Sequence, residues 1–250
     1  MNTSAIPVKQ SPSNIEWQAY GRADYGASHD LNMGAQEWAV LRSQLRQYGL
    51  DGYGAAVELG CGNGRLTNSV AREFRTVMAL DISAERLARA QRNVGLENID
   101  WRLVDGPPIP AAVGCADLVI STHVIQHIAD LAVVEAYFAE SFRVLRPGGV
   151  LLMHIPIPGA HGSTGRLGEV LRRTLKEGIK AAVLRVTRVL MQAGIRDLPW
   201  RIDFYRWYDY PWLRATLERI GFTGVEVRLL TWSGGHSYVF ARRPAVDDRR

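Results

Sequence analysis

The chain has 250 residues, of which 47% are hydrophobic and 22% charged, with a formal net charge of +5. That length suits one large domain or a domain with an insertion, and that composition excludes disordered, collagen-like and low-complexity chains for most of its extent. Two cysteines, Cys61 and Cys115, allow at most one disulfide, so a disulfide scaffold is excluded.

No apolar run is long enough for a membrane-spanning helix. Residues 1–18 are polar, carry Pro7 and Pro12, and lack an apolar signal-peptide core, so a cytoplasmic location is expected. The charge is unevenly spread: residues 51–160 are net acidic, whereas 161–210 hold ten basic and five acidic side chains. A uniformly basic chain would point to nucleic acid; a basic excess confined to one segment points to a local patch.

Residues 1–14 read as a leader. Residues 15–48 carry Trp17, Tyr20, Tyr25, Trp38, Leu41 and Leu45, with helical spacing in the later part and Gly49 placed to end it. Strand and helix then alternate. Residues 55–59 form an apolar strand ending at Gly60, and 64–74 a helix. A second strand, 76–80, ends at Asp81. Ser83 caps a helix running to about Val94. A third strand, 99–104, ends at Asp105, and a fourth covers 117–121. Asp130 caps a helix to about Leu145. The turn Arg146-Pro147-Gly148 leads into a fifth strand, 149–155. A helix over 211–220 precedes two strands, 225–230 and 237–241, separated by Gly234-Gly235. This order predicts an α/β fold with a parallel sheet covered by helices on both faces. The expected divisions are a leader with cap helices (1–50), a core (51–156), a helical basic insertion (157–207), a C-terminal part of the core (208–243) and a tail (244–250).

The strongest motif is Glu58-Leu59-Gly60-Cys61-Gly62-Asn63-Gly64-Arg65, between a strand and a helix. Glycines there let the backbone turn tightly and let a ligand approach the main chain. A dinucleotide fingerprint needs its third glycine one position later, where Arg65 stands, and no Gly-Lys-Ser/Thr is present. Phosphate binding is disfavoured, the more so with Glu58 at the loop. Asp81, at the end of the second strand, suits two vicinal ribose hydroxyls, and Asp105, at the end of the third, an adenine amino group. The pattern implies an adenosine ligand without phosphates.

These residues, with Val104-Asp105-Gly106, residues 117–121, Val124, His127 and Arg146-Pro147-Gly148-Gly149, make the chain resemble a class I S-adenosylmethionine-dependent methyltransferase. The resemblance spans residues 55–157 and more weakly extends to Arg242. Its Arg-Pro-Gly-Gly turn is similar to that of the small-molecule branch, of ubiquinone-biosynthesis type. The resemblance implies a Rossmann-like, seven-stranded, mostly parallel sheet in the order 3-2-1-4-5-7-6. It implies S-adenosyl-L-methionine as cofactor, S-adenosyl-L-homocysteine as product, and no metal. Implied cofactor-binding residues are Glu58, Gly60, Cys61, Gly62, Gly64, Asp81, Ile82, Asp105, Gly106 and Ser121.

Methyl transfer to a hydroxyl needs a proton acceptor, and histidine is the usual one near neutral pH. His123 and His127 follow the fourth strand four residues apart, and share a face if the turn is helical. His123 reads as a candidate base. His127 reads either as a base or as a ring supporting the backbone beneath the loop. A metal site from His123, His127 and His154 lacks a completing carboxylate. Cys61 reads as a small packing residue. The aromatics Tyr20, Tyr25, Tyr205, Trp207 and Tyr208 read either as an acceptor pocket or as the insertion's own core.

Residues 166–193 read as amphipathic, with Arg173, Lys176 and Lys180 opposite the apolar side. They serve as a cover over the acceptor, as a membrane-surface helix, or as a dimer contact. Nucleic acid is disfavoured, because the basic residues lack interleaved aromatics. The expected activity is methylation of a small-molecule hydroxyl by a monomer or homodimer. The alternatives are methylation of a lipid or lipid-linked sugar at a membrane surface and a non-catalytic module that binds the same cofactor.

Overall fold

The computed structural model describes residues 26–128, 130–157, 208–230 and 236–245. Helix α1 (Ala27–Tyr48) ends where expected: Gly49 is left-handed at φ 92°, and its N–H reaches the carbonyls of Leu45 and Arg46. Strands β1 (Ala55–Leu59), β2 (Thr76–Asp81), β3 (Ile99–Leu103), β4 (Ala116–Ser121) and β5 (Leu145–His154) follow. Helices α2 (Thr67–Ala71), α3 (Ala84–Asn93) and α4 (Leu131–Val144) alternate with them, and a 3-10 turn (Ile125–His127) follows β4. Helix α5 (Tyr210–Ile220) precedes β6 (Thr223–Leu230) and β7 (His236–Arg242). Ser83 Oγ accepts from Arg86 N–H at 3.3 Å, Asp130 from Ala132 N–H at 2.9 Å and Asp209 from Trp212 N–H at 3.3 Å, so three helices start on side-chain caps.

The seven strands form one sheet in the order 3-2-1-4-5-7-6. β1 to β5 pair in parallel, and β7 runs antiparallel to both β5 and β6. Side chains alternate between two cores, as strand geometry requires. Val77, Ala79, Leu118, Ile120, Val150 and Leu152 pack on one side with Trp38, Leu41 and Leu45 of α1 and with Val70 of α2. Leu80, Val119, Leu151, Met153 and Val239 pack on the other with Val134 and Phe138 of α4 and with Leu213 and Leu217 of α5. The architecture is therefore three-layered, helix on sheet on helix. Among the described residues no helix is long and apolar enough to cross a membrane.

Two elements differ from expectation by more than two residues. The helix expected over 64–74 is regular only at Thr67–Ala71. Gly64 has φ 82°, a left-handed geometry that cannot open a right-handed helix, so turns continue to Leu66. β5 starts at Leu145 instead of residue 149, because Leu145 pairs with Ala116 and a register shift before the Leu118–Val150 pair absorbs the Arg-Pro-Gly turn. The predicted amphipathic stretch 166–193 lies outside the described residues. The chain leaves the sheet after β5 and is described again at Tyr208, whose backbone N–H donates to Pro156 at 2.8 Å.

Helix α1 crosses the glycine loop closely. A Cβ on Gly34 would overlap the Arg65 carbonyl oxygen, so only glycine allows this approach. Gly34→Ala is expected to destabilise the protein by about 1–3 kcal/mol from overpacking, although alanine is the better helix former. Gly95→Ala, at a position with nothing within 4 Å of the added carbon, is expected to be neutral within about 0.5 kcal/mol. Urea unfolding of the two variants checks this; equal stability would show that the α1–loop contact is loose.

Candidate active site

β1 lies between β2 and β4, and the chain leaves it toward β2 while β4 leads away toward β5. Loops after β1 and β4 therefore diverge and leave a crevice at the carboxyl edge of the sheet. The glycine loop lines it. Gly60 and Cys61 N–H both donate to Leu80 O, at 2.8 and 2.9 Å, which ties the loop to the end of β2. Gly60 has φ 72°, and a Cβ there would overlap Val124 Cγ2 just after β4. Gly62 N–H donates to Asp81 Oδ2 at 2.7 Å, while Ser83 N–H donates to Asp81 Oδ1 at 2.8 Å. Gly64 is buried against Ala90 and Val94, so it serves loop-to-α3 packing.

Asp81 is 6% exposed and set in orientation by those two backbone donors. Each carboxylate oxygen has two acceptor sites, so each retains capacity for a ligand hydroxyl. Val104 N–H donates to Asp81 O at 3.0 Å, bringing the exposed Asp105 and the half-buried Gly106 to the same edge as the half-buried Ile82. Tyr137 of α4 joins them: burial, then the charges of Asp81 and Asp105, push its phenol up to about 12. Glu58 lies beneath the loop, 3% exposed, with Oε2 lacking a hydrogen-bond partner among the described residues. Burial pushes its carboxyl up to about 7, against the smaller pull of Thr67 and Arg65. Burial, then the charges of Glu58 and Asp81, raise the Cys61 thiol well above its ordinary value, which leaves it a packing group.

Ser121, at the end of β4, has no exposed surface, and its hydroxyl donates to Leu59 O at 3.0 Å, which props the end of β1. Tyr208 is 2% exposed, stacks on Trp212, and donates its hydroxyl to Ile125 O at 2.8 Å, so it supports the turn after β4. Tyr20, Tyr25, Tyr205 and Trp207 lie outside the described residues. His123 and His127 do not share a helical face, because the helical turn begins only at Ile125 and His123 has φ 58°. His127 Nε2 lies 3.0 Å from Gln126 Nε2. Among the described residues no group of three or more His, Cys, Asp or Glu is arranged to hold a metal ion.

One cluster escaped the sequence pattern. Glu37 of α1 has no exposed surface. Its Oε2 lies 2.5 Å from Arg65 Nη1, and its Oε1 accepts from Tyr238 Oη–H at 3.1 Å and lies 3.6 Å from His123 Nε2. Burial pushes its carboxyl up, but His123, Arg65 and Tyr238 together outweigh that and hold it below its ordinary value, as the anion. The His123 ring rests 4.7 Å from that of His154, which lies 5.3 Å from that of Tyr238. Nearby, Asn63 Nδ2–H donates to Asp30 at 3.2 Å, a second tie from α1 to the loop. The readable signal was an acid on the apolar stripe of α1, in register with Gly34, Leu41 and Leu45.

These residues fit S-adenosylmethionine. Asp81 offers preset acceptors for a ribose, Gly62 leaves the main chain bare, and the orphaned Glu58 oxygen with Asp81 and Asp105 suits a ligand bearing a sulfonium and an ammonium. Residues 57–153 match the family model described as a methyltransferase domain. The chain is 28% identical over 99 residues to a ubiquinone biosynthesis O-methyltransferase of Rhizobium etli, covering 39% of each protein. It is 33% identical over 100 residues to a probable S-adenosylmethionine-dependent methyltransferase of Mycolicibacterium smegmatis, covering 40% of this chain and 37% of that one. The matched stretch thus spans about two fifths of these relatives. Among solved structures, magnesium protoporphyrin IX methyltransferase of Synechocystis with bound S-adenosylhomocysteine superposes with a TM-score of 0.55 at 17% identity, covering 94% of this chain and 95% of that one. Phosphoethanolamine N-methyltransferase 2 of Haemonchus contortus with S-adenosylmethionine gives 0.57 at 18% identity, covering 90% and 59%. The shared fold is that of class I methyltransferases.

Glu58 makes a pH prediction. Its folded value, about 7, lies above the ordinary 4.5. Between those values the native state holds a proton that the unfolded state has lost, so stability falls as pH rises through this window, by about 3 kcal/mol in all. Glu58→Gln removes that fall. Urea unfolding across pH 4.5–8 is expected to show the variant gaining on the wild type toward the alkaline end; parallel curves would contradict the burial argument.

Proposed function

We propose, from the methyltransferase domain that residues 57–153 carry, that the chain transfers a methyl group from S-adenosylmethionine to a hydroxyl oxygen of a small-molecule acceptor. When bound, the cofactor supplies an electrophilic methyl on a positively charged sulfur. Asp81 would receive the ribose hydroxyls, Asp105 and Gly106 would flank the adenine, and Glu58, once ionised above about pH 7, would meet the positive charge from beneath the loop. The observation that carries the reading is one sheet edge holding both a backbone-fixed carboxylate, Asp81, and an imidazole, His123, whose side chain is 32% exposed.

His123 takes the acceptor's proton, and His127 serves the turn. The hydroxyl acceptor is supported by the relatives named O-methyltransferases and by the imidazole itself, since an amine acceptor needs less help in losing a proton. The stretch 157–207 is flanked by Pro156 and Tyr208, which are hydrogen-bonded to each other at this edge, and Tyr208 also donates to Ile125 O. That placement supports its assignment as the acceptor's cover, which would exclude water and orient the hydroxyl.

Two measurements test the reading. Titration calorimetry with S-adenosylhomocysteine is expected to show binding that Asp81→Ala weakens by about 1.5–3 kcal/mol, roughly 10- to 150-fold; unchanged affinity would remove Asp81 from the site. Methyl-labelled S-adenosylmethionine with a panel of phenols and catechols is expected to give methyl ethers. His123→Ala is expected to lower kcat by about 10²–10⁴-fold with KM for the cofactor unchanged. Binding without transfer to any hydroxyl would instead fit a non-catalytic module.

A further inference from the structure

Glu37, a fully buried charge at the same edge, takes no part in the roles given to Asp81, Asp105 and Glu58. We propose that Glu37 is the positioning residue of His123: it holds the imidazole through Nε2–H and leaves Nδ1 as the atom that takes the acceptor's proton. This rests on the methyltransferase reading.

Four parts of the chain meet at the carboxylate, its own helix included. α1 supplies it, the residue after the glycine loop supplies Arg65, β7 supplies Tyr238, and the exit of β4 supplies His123. With Arg65 on one oxygen and Tyr238 on the other, the carboxylate cannot turn away from the ring. His123 stands at φ 58°, a backbone state costly for any residue with a side chain. Such a residue persists only where its surroundings over-determine it, and here the His154 ring lies tilted against that of His123 while Glu37 faces it from α1. The 3.6 Å separation is just beyond hydrogen-bond length, so the proposal requires the contact to shorten once ligand is bound.

The step balances. His123 Nδ1 takes the hydroxyl proton as the acceptor oxygen bonds to the methyl carbon and the carbon–sulfur bond breaks, its electron pair going to sulfur. The positive charge moves from the sulfonium to the imidazolium, where Glu37 meets it. Because Glu37 also binds Arg65, one carboxylate aligns the proton acceptor with the loop that lines the cofactor crevice.

The test needs no acceptor. Histidine-¹⁵N-labelled protein, saturated with S-adenosylhomocysteine, is expected to show His123 protonated at Nε2 and bare at Nδ1, with a downfield, slowly exchanging Nε2–H. In Glu37→Gln that proton is expected to move upfield and exchange at least tenfold faster. Tyr238→Phe, which removes another partner of Glu37, is expected to leave the tautomer unchanged. A proton on Nδ1 of His123, or an Nε2–H signal indifferent to Glu37→Gln, overturns the proposal. If the Gln variant fails to fold, the wild-type tautomer and exchange rate still decide. Calorimetry with S-adenosylhomocysteine on the same samples separates the two claims: no binding sinks the methyltransferase reading, whereas the imidazole spectrum judges Glu37 alone.

Discussion

A carboxylate with no exposed surface persists as an anion only among fixed partners, and Glu37 obtains them from elements far apart in the chain. That requirement constrains the upper edge of the sheet. It brings α1 down onto the glycine loop, where Gly34 must be bare to let the Arg65 backbone approach. Through Glu37 it also links Tyr238 of β7 with His123 after β4, across the single intervening strand β5. Removing either member of the Glu37–Arg65 pair would leave the other's charge uncompensated at this edge.

The opposite edge of the sheet shows what an ordinary structural carboxylate looks like. Asp117, at the start of β4, accepts from Ala55 N–H and pairs with Arg146, which also pairs with Asp51. Its partners close a loop and leave no capacity aimed into a crevice. Asp81 differs in having backbone donors alone at the sheet's carboxyl edge, and Glu58 in having an oxygen that nothing described satisfies. Negative groups gathered at one rim of a parallel sheet suit a cationic, hydroxyl-bearing ligand better than a phosphate.

Much of this was legible in the chain itself. Apolar runs of strand length, punctuated by Gly60, Asp81 and Asp105, marked the parallel sheet, and Ser83 and Asp130 marked helix starts through the cap bonds they make. Boundaries failed where a single backbone angle or bulge decided them, at Gly64 and at residues 145–150. The bond from the Ser121 hydroxyl to Leu59 O was not legible locally, because it depends on which strand lies beside β4. For Tyr208 a pocket role and a packing role both stayed open, because an aromatic-rich stretch does not reveal which ring is buried. Glu37 was illegible as a site because residues 37, 65, 123 and 238 meet only through the strand order; its one local signal was a charge on an apolar helix stripe.

The central claim is that the crevice between the β1 and β4 loops holds S-adenosylmethionine with its reacting end toward His123. A crystal structure of the protein with S-adenosylhomocysteine tests it most directly. The account predicts ribose hydroxyls on Asp81, adenine beside Asp105 and Gly106, and the sulfur on the His123 side, with the Glu37–His123 contact shortened to hydrogen-bond length. A ribose bound away from Asp81, or a sulfur remote from His123, would contradict it.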